Sequence, residues 1–254
     1  MRKWTVALGV LVFFATLVTH APARLLPALT KAAGVELSLL SVEGSLWQGR
    51  LQGMQISMEK RDWFVEAFAW QIQPLALLGG HLCMDITEGR GHGISARGEL
   101  CVNQSGDIQA RELVMTAQVG KVLALASFPL PVDGDGSLNI KRLNWQASQG
   151  FDALEGAVFI KDYAYQVNGQ REVLGDYQLN IAAPEASILA LTFMPSNAKI
   201  ALQGGLSVQL SGEYEADLQF IPSPEASQAL VESLRFVAVK QEDNSYRFKY
   251  SGRL

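Results

Sequence analysis

The feature that most constrains this chain is an apolar segment at its N-terminus. Residues 4–23, twenty in all, carry no charged side chain, and Arg2 and Lys3 precede them. A helix of that length rises about 30 Å, which is the thickness of the hydrocarbon core of a bilayer. We therefore predict a single transmembrane anchor that includes Trp4, Phe13 and Phe14, with the basic pair on the cytoplasmic side.

A cleaved secretory signal is the alternative, because Ala21-Pro22-Ala23 resembles a small-residue cleavage site. Both interpretations send the following residues out of the cytoplasm. We predict three regions: 1–23 is a cytoplasmic stub with the anchor, 24–40 is a membrane-proximal linker or short amphipathic helix, and 41–254 is a periplasmic β-rich domain.

Composition limits the partners of the exported part. The formal net charge of the whole chain is −4, and removing the cytoplasmic Arg2 and Lys3 makes the remainder more acidic. That sign argues against a nucleic-acid partner and against electrostatic adhesion to anionic lipid. Hydrophobic residues make up 48% of the chain, which is enough for a folded core.

Beyond residue 41 the apolar residues recur at every second position, which is typical of strands with one buried face. Pro74 cannot donate to a ladder, so we expect the strand through Ile72 to stop there. Several strands are predicted to begin at a glycine: Gly98, Gly136, Gly156, Gly175, Gly205 and Gly212. The predicted fold is mainly β, with a strongly curved antiparallel sheet that forms an open groove or two layers.

The C-terminal region contains the clearest helix pattern of the exported part. Ser223-Pro224-Glu225 has the order N-cap, first-turn proline and acidic residue, and an apolar stripe continues to about Phe236. Tyr246, Phe248 and Tyr250 then alternate with polar residues. We predict a short helix followed by a closing strand.

Cys83 and Cys101 are the two cysteines of the chain. If they pair across an antiparallel hairpin, the turn falls at the glycine-rich residues 89–93, which suit a turn. The periplasm is an oxidising compartment. We predict a cross-strand disulfide, with two buried thiols as the alternative.

Two further patterns suggest a metal site, but their candidate ligands do not have the expected spacing. His81, Cys83, His92 and Cys101 lack the close ligand pairs of zinc sites. Residues 133–137, Asp-Gly-Asp-Gly-Ser, resemble the start of a calcium loop but lack its later glutamate, so a hairpin turn is favoured.

The sequence contains no motif for nucleophilic, metalloprotease or nucleotide chemistry. We therefore predict a non-enzymatic protein without a cofactor. Trp47 and Trp70 are candidate ligand or interaction residues, although aromatic side chains in strands more often belong to the core.

Several motifs occur together in one order: the N-terminal anchor, Leu26-Pro27-Ala28, the stretch 42–50 around Trp47, and Trp70-x-x-x-Pro74-x-x-Leu77 followed by Gly79-Gly80-x-Leu82. This order resembles the type II secretion system protein N family. The glycine-led strands downstream also fit AsmA-like envelope proteins, whose curved sheets carry lipid.

The first resemblance implies an inner-membrane accessory subunit of the machine that exports folded proteins across the outer membrane. Its implied partners are the inner-membrane clamp proteins and the secretin. The second implies a protein that binds or transfers lipid in a hydrophobic β-groove. The family has no known catalytic residues, so none is assigned here.

Overall fold

The structure is a computed structural model that describes residues 16, 20–25, 37–58, 61–91, 93–125, 131–167 and 170–253. Contacts divide the chain into two compact units, Met1–Cys101 and Val102–Leu254, where the sequence predicted one domain over 41–254. Within the described ranges, no helix is long and apolar enough to cross a membrane. Trp4, Phe13 and Phe14 of the predicted anchor lie outside those ranges.

Unit 1, Met1–Cys101, consists of antiparallel strands that follow one another in chain order. Strand β5 extends two residues past the division between the units. The strands are β1 (Leu37–Gly44), β2 (Gln48–Met58), β3 (Arg61–Ile72), β4 (His81–Gly91) and β5 (Ile94–Asn103).

The core of unit 1 forms around three buried residues, Ala23, Leu51 and Trp70. Partly buried apolar side chains from the first four strands pack against them: Val42, Met54, Val65, Phe68, Ile72 and Met84. Because so few residues are fully buried, each one contributes a large share of the stability of this unit.

The structure describes both ends of the segment 24–40. A 3-10 turn covers Ala23–Leu25, and β1 begins at Leu37. Pro22 forms a β-bridge with Ser45, and the Leu46 N–H donates to the Ala21 carbonyl oxygen at 2.8 Å. The chain is therefore tied to the β1–β2 turn before the first strand starts.

Unit 2, Val102–Leu254, continues the antiparallel pattern, with neighbours in chain order from β6 to β12. Strand β14 then lies beside β12, and β13 lies beside β14. The strands are β6 (Ile108–Gln118), β7 (Val132–Gln146), β8 (Gly150–Val167), β9 (Gln170–Glu185), β10 (Ile188–Phe193), β11 (Ile200–Gln209), β12 (Glu213–Pro222), β13 (Val239–Lys240) and β14 (Tyr246–Arg253).

Two short helices belong to unit 2, α1 (Val119–Leu125) and α2 (Gln228–Leu234). Leu230 and Leu234 of α2 pack on the sheet in the largest buried cluster, together with Leu174, Tyr177, Ala198, Ile200 and Tyr246. The Tyr177 hydroxyl donates to the Ile200 carbonyl oxygen at 2.8 Å, and burial raises the pKa of this phenol. The predictions of a mainly β, antiparallel fold and of a short C-terminal helix are confirmed.

The start of that helix was predicted too early. Ser223 directly follows β12, and its N–H donates to the Lys199 carbonyl oxygen at 2.7 Å. The N-cap is Ser227, whose side chain accepts from the Leu230 N–H. Phe236 lies beyond the last helical residue instead of in the apolar stripe.

Most of the glycines that were predicted to begin strands lie inside them. A Cβ at Gly156 in β8 would lie 2.8 Å from the Asn139 carbonyl oxygen of the neighbouring strand. Glycine at such a position permits a close approach between backbones. Gly212 lies directly before β12, which agrees with the prediction that a strand begins at this glycine.

Residues 133–137 form the beginning of β7 and not a hairpin turn. Gly134 has a φ of 140°, its N–H donates to the Asp133 carboxylate at 2.8 Å, and the register with β8 shifts between Asp133 and Asp135. The Asp-Gly pattern therefore produces a β-bulge, which uses the same glycine conformation as a turn.

Candidate interaction surface

The outer side of β14 is an open strand edge. Strand β12 pairs with the whole of β14, from Tyr246 to Arg253. Strand β13 covers only Tyr246 and Arg247 on the other side. Among the described residues, no strand therefore lies against the outer side of residues 248–253. The unpaired N–H and C=O groups of such an edge can pair with a strand from another chain.

Charged side chains often protect a sheet edge, but two of those on β14 are drawn towards β12. The Arg247 guanidinium donates two hydrogen bonds to the Asp217 carboxylate, at 2.9 and 2.6 Å. These bonds and the positive charge hold the pKa of Asp217 below its ordinary value. Lys249 Nζ lies 3.7 Å from the Glu215 carboxylate, also on β12. The edge itself is thereby left accessible.

Apolar side chains are exposed where the chain enters β13. Phe236 is 90% exposed, Val239 70% and Val237 57%. We call these three residues the edge patch. Exposed apolar side chains that lie together, unlike scattered ones, mark contact surfaces.

The backbone holds the edge patch in a defined position. After α2, the N–H groups of Phe236 and Val237 donate to the carbonyl oxygens of Ser233 and Leu234, at 3.2 and 3.1 Å. Ala238 then packs against the buried cluster of unit 2. Phe236 is therefore presented to solvent by a fixed turn.

Trp70 lies in the core of unit 1. It is 5% exposed, its indole N–H donates to the Leu46 carbonyl oxygen at 2.9 Å, and its ring stacks on Phe68 with centroids 6.0 Å apart. Trp47 is partly buried, and its carbonyl oxygen accepts from the Ile72 N–H at 2.6 Å. The geometry gives Trp70 a packing role.

Cys83 of β4 and Cys101 of β5 form a disulfide with an S–S distance of 2.05 Å. Both residues are 7% exposed. Sulfur atoms that are bonded to each other offer no thiolate to zinc. Of the two histidines considered with them, His81 begins β4 and His92 lies outside the described residues.

Replacing both cysteines with alanine is expected to lower the free energy of unfolding by about 3 kcal/mol, because the bond closes a loop with a sequence separation of 18. Urea denaturation, followed by circular dichroism with and without dithiothreitol, measures this. The reductant should shift the midpoint of the native chain and leave that of the double variant unchanged. An equal midpoint for reduced and oxidised native protein would contradict the prediction.

A groove of about 590 Å³ lies on the sheet of unit 2. Its polar lining includes Asn139 and Asn180, and Lys141 Nζ lies 3.0 Å from the exposed Glu155 carboxylate. The residues that line it include no serine, cysteine or histidine. Apolar residues, among them Phe159 and Ile181, line the groove beside these polar groups.

Sequence reasoning missed the edge patch, although a signal was present. Residues 236–239 form an apolar run directly before Lys240, at a place where the helix stripe was expected to end. A similar signal occurs in unit 1, where the turn after Pro74 contains leucines instead of polar residues. Leu75 and Leu78 are 79% and 86% exposed.

Comparison with known proteins identifies the family. The family model for the type II secretion system (T2SS), protein N, matches residues 35–249. The type II secretion system protein N of Vibrio cholerae serotype O1 is 26% identical over 256 residues, which cover 96% of this chain and 95% of that protein. No solved structure matches the chain. Since the family model spans both units, this chain belongs to the type II secretion system protein N family.

Proposed function

We propose that this protein is an inner-membrane accessory subunit of the type II secretion system that acts by binding other subunits. In this proposal the N-terminal apolar segment anchors the chain, Pro22 and Ala23 at its end already pack with unit 1, and the rest of the chain lies in the periplasm. Membership of the family carries the assignment to the system. The uncharged twenty-residue segment and the preceding Arg2 and Lys3 support the orientation.

The open edge of β14 and the edge patch are the proposed binding surface. A strand from a partner would add to residues 248–253, and its side chains would cover Phe236, Val237 and Val239. Backbone hydrogen bonds supply affinity in such strand addition, while exposed apolar side chains supply specificity. The predicted partners are the inner-membrane clamp proteins and the secretin.

The alternative of a lipid carrier receives less support. A groove that holds acyl chains needs an apolar lining. The groove of unit 2 has a mixed lining, in which Lys141, Glu155 and two asparagines stand beside apolar residues such as Phe159 and Ile181. Phe236 lies outside that groove and is 90% exposed.

Replacing Phe236 with aspartate is expected to reduce secretion at least tenfold and to leave the exported proteins in the periplasm. Because the side chain is 90% exposed, the free energy of unfolding should change by no more than about 0.5 kcal/mol. The measurement is the ratio of exported protein in the medium to that in the periplasm. The matched control is Leu210→Asp, at an exposed leucine in the β11–β12 turn.

A photo-crosslinking phenylalanine analogue identifies the partner directly. Placed at position 236 in the full-length chain, it should form adducts with another subunit of the system, and the same analogue at position 210 should form few. Equal adducts at both positions, or wild-type secretion by Phe236→Asp, would refute the proposed surface. Normal secretion after deletion of the whole chain would refute the assignment as a required subunit.

A further inference from the structure

We propose that the β3–β4 loop of unit 1 is a second membrane contact, in which exposed leucines enter the periplasmic leaflet of the bilayer that holds the anchor. This inference rests on the proposed function in one respect, the anchoring of the N-terminal apolar segment. The contact surface, called the leucine loop, consists of Leu75, Leu77, Leu78 and Leu82.

All four side chains of the leucine loop are exposed. Leu78 is 86% exposed, Leu75 79%, Leu82 50% and Leu77 42%. No aspartate, glutamate, lysine or arginine occurs from Gln73 to Met84. A concentration of bare aliphatic side chains without a charged neighbour suits a lipid surface, where charge would oppose entry.

The backbone of the loop is already hydrogen-bonded, as entry into a lipid interface requires. The Gln73 N–H donates to the Cys83 carbonyl oxygen at 2.9 Å and closes the loop at its base. A 3-10 turn covers Ala76–Gly79, where the Leu78 N–H donates to the Leu75 carbonyl oxygen at 3.2 Å and the Gly80 N–H to that of Leu77 at 3.0 Å. The leucines therefore project from a turn that is closed on itself.

The loop lies close to the end of the predicted anchor, and this position identifies the bilayer as the surface that the loop contacts. The apolar N-terminal segment ends at Ala23, and the Ala21 carbonyl oxygen accepts from the Leu46 N–H at 2.8 Å. The next residue, Trp47, accepts from the Ile72 N–H at 2.6 Å, and Ile72 is the last residue before the loop. Only two hydrogen bonds separate the end of the predicted anchor from the start of the leucine loop.

The residue that follows the anchor fits the same interface. Arg24 is exposed next to Leu25, which is 46% exposed. An arginine at this depth can bond to lipid phosphates while leucines lie below the headgroups. A bilayer that contains residues 4–20 must lie at this end of unit 1, because Ala23 is fully buried in the unit.

The test uses the full chain in vesicles of phosphatidylethanolamine and phosphatidylglycerol. The sequence has only two cysteines, and both are in the disulfide, so one added cysteine can be labelled selectively. An NBD fluorophore on Leu78→Cys should be quenched by lipids with a shallow nitroxide at least threefold more than on Arg90→Cys. Arg90 is exposed and lies about 30 Å along β4 from His81.

The outcomes separate this inference from the proposed function. If the chain resists carbonate extraction but the two labels are quenched equally, the anchor stands and the leucine contact is refuted. If carbonate removes the chain from the vesicles, the anchor is refuted and this inference with it.

A second variant tests whether leucines drive the contact. Leu75→Ser should reduce the quenching at position 78 at least twofold. Leu40→Ser is the matched control, because Leu40 is 82% exposed but lies on β1. Unchanged quenching in Leu75→Ser, or an equal loss in Leu40→Ser, would refute the role of the leucine loop.

Discussion

Replacing Trp70 with alanine is expected to lower the free energy of unfolding by about 3–5 kcal/mol. Trp70 is 5% exposed and belongs to a buried cluster with Ala23 and Leu51. Its ring lies on Gly49, where an added Cβ would come within 2.6 Å of the indole. A glycine cannot fill the space that the truncated ring leaves, so the cavity should persist.

Urea denaturation followed by far-ultraviolet circular dichroism measures this loss. Trp70→Phe should cost about 1–2 kcal/mol, because it keeps a ring but removes the donor to the Leu46 carbonyl oxygen. Phe236→Ala is the control for loss of an aromatic group in water, since Phe236 is 90% exposed. A Trp70→Ala protein within about 1 kcal/mol of the native one would contradict the packing role.

The second large effect is expected at Gly204. Replacing it with alanine should lower the free energy of unfolding by about 4 kcal/mol. The residue has a φ of 93°, a conformation that costs an L-amino acid about 1–2 kcal/mol. A Cβ there would also lie 2.1 Å from the Asp217 carbonyl oxygen of β12. Backbone atoms cannot rotate away, so the β11–β12 ladder must shift, which costs about 1–3 kcal/mol more.

Two further variants separate the causes of this loss. Gly106→Ala tests the conformation alone. Gly106 has a φ of 82°, and the atom nearest to an added Cβ would be 3.7 Å away. Gly205→Ala tests the collision, since its Cβ would lie 2.3 Å from the Leu191 carbonyl oxygen. Thermal unfolding should rank Gly204 as most sensitive and Gly106 as least. A loss at Gly106 equal to that at Gly204 would show that crowding is unimportant.

The two proposed surfaces give the two units different roles. Unit 1 carries the leucine loop beside the end of the predicted anchor, and unit 2 carries the edge patch and the open strand β14. The variants at Leu75 and Phe236 change surface side chains, so their effects can be separated from those at Trp70 and Gly204, which act through stability.

The sequence by itself determined the local features of this protein. The alternation of apolar residues predicted the strands, Pro74 predicted the end of β3 at Ile72, and the glycine-rich residues 89–93 predicted the pairing of Cys83 with Cys101. Family motifs around Trp47 and Trp70 predicted the protein N family. Each of these depends on neighbours in the chain or on one hairpin, where sequence spacing specifies geometry.

Only the tertiary structure decided which features lie at a surface. The same alternation describes a paired strand and an edge strand, so it did not identify the open side of β14. An apolar residue such as Phe236 or Leu78 was equally consistent with the core. Ser227 became the N-cap, instead of Ser223, because the Ser223 N–H donates to the carbonyl oxygen of Lys199, which directly precedes β11. Burial and strand pairing depend on contacts with distant segments. Local periodicity in the sequence does not specify those contacts.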